Sequence, residues 1–284
     1  MQTSYFGFRG NEDLGNGLKA KFQLEGFFRA DTGESGRFGS PGPVQDPLFS
    51  RASWVGLEGR FGEVTFGQNI NPAWLAMMFT SAMGSSSMFS PSFRQQYNGG
   101  TGGYMALDTA LPNSISYTTP RLGGLTATLA VMTSETQGAG SNIVGNVIYR
   151  SGPLLLALAG ARTRHQPPPE AAAALDQQHV MVGGSYDFKV VRLFAQYTDF
   201  DDALANLRVK TPHLGLTAPL GVGQIQLAWA RASNSGASTS TRTTTSLGYF
   251  YTLSRRTTLY GIVSTDKLTA GTANSYVVGM RHTF

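Results

Sequence analysis

Apolar and polar residues alternate with a period of two through most of the chain, the pattern of strands that bury one face and wet the other. Residues 4–10 put Phe6 and Phe8 on one face and Tyr5 and Arg9 on the other. In 18–31, Ala20, Phe22, Leu24 and Phe28 oppose Lys19, Lys21, Gln23, Glu25 and Arg29. The alternation returns at 49–59, where Arg51 opposes Trp54, and at 63–70, 114–119, 125–135, 142–152, 154–165, 178–188 and 190–200. It continues at 208–220, 222–233, 242–254, 257–268 and 275–284, which predicts about fifteen strands in all.

The connections also alternate. Short turns at 62, 122–124, 153, 189, 221 and 255–256 take turns with longer loops at 32–48, 71–113, 136–141, 166–177, 201–207, 234–241 and 269–274. That asymmetry predicts an all-β chain: a transmembrane antiparallel β-barrel formed by one domain, 1–284, with short turns at one rim and long loops at the other. Strands of about 9–11 residues suit a tilted crossing of the apolar slab. The Ala run after Pro167, Pro168 and Pro169 is expected to form one helical turn at the mouth. Trp54, Trp229 and the tyrosines are expected to face lipid or its interfaces.

The break in the pattern is 71–113, with N-P-A-W-L-A-M-M-F, a Ser/Met run, F-R-Q-Q-Y and N-G-G-T-G-G-Y. A connection of about 40 residues is uncommon without a function, and its Met and aromatic content is unlike that of disordered chain. It is expected to fold inward and narrow the barrel.

Composition narrows the alternatives. Charged residues make up 14% of the 284, and Gly contributes 35. There is no Cys, so disulfides and thiolate metal sites are excluded. The net charge of +5 comes from Lys and Arg scattered singly or in pairs such as Arg255-Arg256, without the basic cluster that nucleic acid requires. The histidines, His165, His179, His213 and His282, are far apart in sequence, so neither metal nor cofactor is expected. No apolar run approaches the length of a membrane helix.

Several strings in order resemble the general, trimeric outer-membrane porins of Gram-negative proteobacteria. They are F-G-F-R-G-N-E-D-L-G-N-G-L-K-A-K-F-Q-L-E (6–25), W-V-G-L-E-G-R-F-G-E-V-T-F-G (54–67), P-N-S-I-S-Y-T-T-P (112–120), Y-T-L-S-R-R-T-T-L-Y-G (251–261) and V-G-M-R-H-T-F (278–284). The resemblance implies a barrel of sixteen strands in the family, a homotrimer in outer-membrane lipid, and a third outer loop folded inside as an eyelet, here 71–113. It implies that Phe284 is the signal read by the barrel-assembly machinery. It also implies a first strand and a signal peptide ahead of residue 4, where the chain as given has neither. The implied function is passive diffusion of small hydrophilic solutes and ions, with no enzymatic role.

The family commonly carries Arg where this chain has Tyr5, Gln68 and Ala110, while Arg51 matches. The expected preference is therefore weakly for anions, with Arg51, Lys19, Lys21, Arg9 and Tyr5 on the wall and Asp108 and Arg94 in the loop. Asp108 either faces the ion path or caps the loop's return, and Arg94 either meets solute or holds the loop to the wall. A solute-specific channel, a rim hydrolase using His165 and loop aspartates, and an adhesive barrel are the alternative readings.

Overall fold

The computed structural model describes residues 3–37, 46–84, 86–97, 103–134, 140–165 and 174–284. Fifteen strands form one antiparallel sheet in strict sequence order, as short hairpin connections demand. They are β1 (Tyr5–Gly15), β2 (Leu18–Phe27), β3 (Ala52–Gly59), β4 (Gly62–Ile70), β5 (Ala110–Thr118), β6 (Leu125–Thr133) and β7 (Ser141–Ser151). Then follow β8 (Leu154–His165), β9 (Ala174–Asp187), β10 (Arg192–Asp202), β11 (Leu207–Leu220), β12 (Gly223–Gly236), β13 (Ser240–Thr252), β14 (Thr257–Leu268) and β15 (Gly271–His282). Two short helices, α1 (Pro72–Phe79) and α2 (Pro91–Gln96), lie in the connection between β4 and β5.

Alternation sorts the two faces. Phe8, Val55, Phe66, Leu129, Val147, Leu158, Val182, Leu193, Leu214, Leu247 and Val263 stand exposed on the outward side. Around a water-soluble protein so continuous an apolar band would drive aggregation, whereas it is the surface hydrocarbon requires. The inward side carries small or polar residues, among them Ala157, Ala159, Thr198, Thr211, Ala228, Ala230, Thr244 and Ser246, all buried.

The rims differ from the sequence expectation at four connections. The first connection, which the alternation leaves between 4–10 and 18–31, shrinks to Asn16 and Gly17, both at positive φ (53° and 77°), because Glu12 and Asp13 pair across the ladder with Ala20 and Lys19. The outer connections expected at 201–207, 234–241 and 269–274 contract to 203–206, 237–239 and 269–270. There the strands run on, with Asp201 opposite Arg208 and Arg208 opposite Ser235, giving lengths of up to 14 residues. The Ala run is described only from Ala174, which opens β9; the helical turn expected before it lies outside the described residues.

Trp229 faces outward with Leu227, as expected, but Trp54 does not. Its register partners Gln23 and Gly67 belong to the inward face, because Val55 and Leu57 beside it take the lipid side. At the two ends of the sheet, β1 pairs only with β2 and β15 only with β14 among the described residues. As odd-numbered strands of an alternating ladder they point the same way.

Candidate functional site

The inward face is partly filled by the connection between β4 and β5. Asn71 starts it: the side-chain oxygen caps α1 by accepting from the N–H of Ala73 and Trp74 (2.8 and 3.3 Å), and Pro72 occupies the first turn. Asn71 also ties the start of the loop to its end. Its Nδ2 donates to the Asp108 carbonyl at 2.8 Å, and its backbone N–H donates to that of Thr109 at 2.9 Å.

α1 is apolar nearly all round because it is covered on several sides. Ala73, Ala76 and Met77 pack with Val144, Ala157, Ala159 and Met181 of the wall. Close approach depends on small residues. A Cβ on Gly183 would lie 2.8 Å from the Thr80 hydroxyl, and one on Gly215 would lie 3.0 Å from the Ala82 methyl. α2, capped by Ser90, contacts β11, β12 and β13.

Inward amides satisfy loop carbonyls that apolar packing would leave unpaired. Asn146 Nδ2 donates to the Pro72 carbonyl and Gln196 Nε2 to that of Met77, both at 2.7 Å. Gln95 of α2 donates to the Ala230 carbonyl at 3.0 Å and to the Thr244 hydroxyl at 2.9 Å. Gln177 accepts from the Ala106 N–H at 3.1 Å. The Tyr104 hydroxyl meets Thr211 at 3.2 Å, and burial pushes the phenols of Tyr97 and Tyr104 above their ordinary range.

Between the loop and the β1–β4 side lies a cavity of 60 Å³, lined by Tyr5, Arg37, Arg51, Trp74, Ser87 and Thr109 among others. Arg51 stacks over the Tyr5 ring (4.0 Å to the centroid) and is ion-paired with Glu25. Arg37, from the β2–β3 connection, grips two carboxylates. Its Nε and Nη2 donate to Asp46 (both 2.9 Å), and Nη1 and Nη2 donate to Asp108 (3.0 and 2.6 Å). Its Cζ sits over the Phe27 ring, 5.0 Å from the centroid. Burial opposes the charge on Arg37, but Asp46 and Asp108 outweigh it and hold the group above an ordinary arginine. Burial likewise pushes Asp46 up, and the Arg37 bonds overcome it, leaving this carboxyl below its usual value.

The residues singled out by sequence are thus dispersed. Arg51 and Tyr5 meet at the cavity. Asp108 stands at its edge, paired with Arg37 and not with the wall cations Arg51, Lys19 and Lys21. Lys21 is bound by Glu58 (2.8 Å) and Glu63 (2.5 Å), nearer the short-turn rim, with exposed Lys19 beside them. Arg9 is exposed opposite Gln23 and has no ion pair among the described residues. Arg94 reaches the far wall, donating to the Met88 carbonyl at 3.0 Å and to Asp266 at 3.1 Å, where Arg242 also binds at 2.6 Å. Burial, opposed by Asp266 and reinforced by Arg242, leaves Arg94 below an ordinary arginine. Phe284 is fully exposed, its ring edge-on to His282.

Sequence reasoning missed Arg37 and Asp46, which sit in a Gly/Pro-rich connection without periodicity. It also missed Asn146, Gln177 and Gln196, whose signal was present as amides at inward positions of otherwise simple strands. Among the described residues no group of three His, Asp or Glu could hold a metal.

A lipid-facing antiparallel barrel wall, with an internal loop held by amides and a charged gap beside it, defines an outer-membrane diffusion channel. The chain belongs to the Gram-negative porin family, which residues 1–271 match. It is 34% identical to outer membrane porin protein 32 of Delftia acidovorans over 274 residues, covering 91% of this chain and 73% of that protein. An outer membrane porin of Bordetella pertussis is 29% identical across 99% of this chain and 82% of its own length. Among solved structures, the anion-selective porin from Comamonas acidovorans superposes with a TM-score of 0.80 at 31% identity, covering 99% of this chain and 90% of that one. The protein is an outer-membrane porin, a passive channel for small hydrophilic solutes.

Proposed function

We propose that this porin prefers anions weakly and that its narrowest section is the gap between the β4–β5 loop and the β1–β4 wall. The observation that carries this reading is the charge arrangement at the gap. Arg37 and Arg51 are present, but Glu25, Asp46 and Asp108 bind them, so little net field remains to select ions. The sign of the preference comes from elsewhere in the lumen, where exposed Arg9 stands opposite Gln23. The anion selectivity named for the Comamonas porin and the net charge of +5 point the same way.

The working unit is a homotrimer of single-domain chains in outer-membrane lipid, inserted by the barrel-assembly machinery through the Phe284 terminus. It acts as a channel and not as an enzyme. Planar-bilayer recordings test the reading: conductance should rise in proportion to bulk salt, without the saturation that a solute-binding channel shows. Saturation at low salt would replace this reading with a solute-specific one.

A further inference from the structure

Phe250 of β13 and Tyr260 of β14 are ladder partners at inward positions. Their ring centroids are 5.8 Å apart and the rings are inclined by 30°. Two glycines set that attitude. A Cβ on Gly279, the β15 partner of Tyr260, would lie 2.4 Å from the Tyr260 hydroxyl oxygen, so this ring lies across the wall instead of standing off it. A Cβ on Gly248, the preceding inward residue of β13, would lie 2.9 Å from Cε2 of Phe250. The two rings together present one nearly continuous π face.

The internal loop fixes the height of this face. Both rings pack against the cluster that Met83 and Phe89 of the loop form with Ala228 and Ile262 of the wall. Phe250 follows Gly248 toward the short turn at 253–256, so the rings lie just inside the loop, in the vestibule at the short-turn rim. Contact with Met83 covers part of each ring, and both stay partly exposed. Solute that has passed the loop crosses this surface.

The polar surroundings of the rings carry one sign of charge. Gln224 is the ladder partner of Phe250 and Gln226 that of Gly248, and neither amide has a hydrogen-bond partner among the described residues. Arg281, exposed and opposite Thr258, is the next inward residue of β15 after Gly279 and so diagonal to Tyr260. Diagonal neighbours are about 7–8 Å apart, within reach of a long side chain, and Gly279 puts nothing between them. Arg281 has no ion pair among the described residues. The sole acid of β11–β15 is Asp266, which is toward the opposite rim and bound by Arg242 and Arg94. An aromatic face with a cation at one end, amides at the other and no carboxylate beside it matches a flat ring that bears a carboxylate. A neutral sugar would gain nothing from the cation, and an aromatic amine would be repelled by it.

We infer that Phe250, Tyr260 and Arg281 form a weak binding site for aromatic carboxylates on the inner side of the loop. The solute ring stacks on the two aromatic rings, and its carboxylate accepts hydrogen bonds from the Arg281 guanidinium. Gln224 and Gln226 border the far end, where they meet polar substituents of the solute ring. The site covers one face of the solute only, so release stays fast and the channel keeps conducting. Chloride has no ring to stack, so proportional conductance in simple salt is unaffected.

The test compares two anions of like size and charge, only one of which is flat and aromatic. Single-channel conductance of the intact protein is measured against concentration in sodium benzoate and in sodium cyclohexanecarboxylate. Conductance in benzoate should saturate, at a half-saturating concentration about fivefold below that for cyclohexanecarboxylate. Phe250→Leu and Tyr260→Leu should each raise the benzoate value about fivefold, the weight of one aromatic contact. Arg281→Gln should raise it too, whereas Tyr251→Leu, on the lipid side of β13, should leave it unchanged. Arg281 is exposed, so its variant reads the site even where a leucine variant does not insert. Proportional conductance in benzoate, or equal saturation by the two anions, would overturn the site. A benzoate value untouched by F250L, Y260L and R281Q would overturn it as well. F250L and Y260L should keep the native reversal potential in potassium chloride, so the site stands or falls separately from the ion preference at the gap.

Discussion

Arg37 Nη2 lies 2.6 Å from Asp108 Oδ2, joining the β2–β3 connection to the point where the internal loop rejoins the wall. The same guanidinium holds Asp46, so one cation restrains two acids beside the gap. Arg37→Gln should therefore do more than remove a positive charge, because it releases two carboxylates into the ion path. Reversal potentials should shift toward cations, and Asp108→Asn alone should shift them toward anions. Asp108 is partly open to water, so the pairing should stabilise the fold by less than about 1 kcal/mol. Unchanged reversal potentials in both variants would place the pair off the ion path.

The grip should also depend on acidity. The Asp46 carboxyl is held below its ordinary value of 3.8, despite burial, by its bonds to Arg37. A depressed folded value means that the pair's contribution is complete above the ordinary value and is lost as pH falls through the lowered one. Channel closures and loop mobility should stay constant from neutral pH to about pH 5 and increase only in stronger acid. An increase already near pH 6 would contradict this and point to histidine.

Seating of the loop is a second target. Gly183→Val places carbon where the Thr80 hydroxyl already lies within 2.8 Å of a Cβ. Overpacking of this kind costs about 1–3 kcal/mol. The loop should be pushed off the wall, lowering the temperature of the heat-induced gel shift and changing single-channel conductance. Val182→Ala, at the neighbouring outward position, should leave conductance alone. Asn71→Ala removes the cap of α1 and the link to Asp108, at about 1 kcal/mol for the cap, and should increase current noise.

Most of the wall was legible because alternation is imposed by its two solvents, and Phe8, Val55 or Leu158 could not have been placed inward without reversing a whole strand. The constriction loop was legible as an interruption. Its partners were not, since Gln196 and Asn146 look like any polar inward residue until the fold brings Met77 and Pro72 to them. Trp54 was misread because aromatic residues suit both the interface and the lumen, and only register decides. The partner of Asp108 was not legible either, because Arg37 lies in a connection without periodicity. Lys19 and Lys21 share a face with Glu25 and Arg51, yet face does not report height along the strand, and Glu58 and Glu63 hold Lys21 near the opposite rim.

Arg51 offers a separate check on the wall. Removing it leaves Glu25 without its partner on the lumen side. Arg51→Ala should move selectivity toward cations without abolishing conductance, and Glu25→Gln in the same background should restore it. Failure of the second change to compensate would show that the two side chains do not act as a pair on passing ions.

The reversal potential of the native channel across a salt gradient is the most direct measurement of weak selectivity through a charge-compensated gap. It should be small and of the anion-preferring sign at low ionic strength. It should fade toward zero as the screening length falls from roughly 10 Å at 0.1 M to about 3 Å at 1 M. A near-ideal potential of either sign, or one that persists undiminished in high salt, would contradict it.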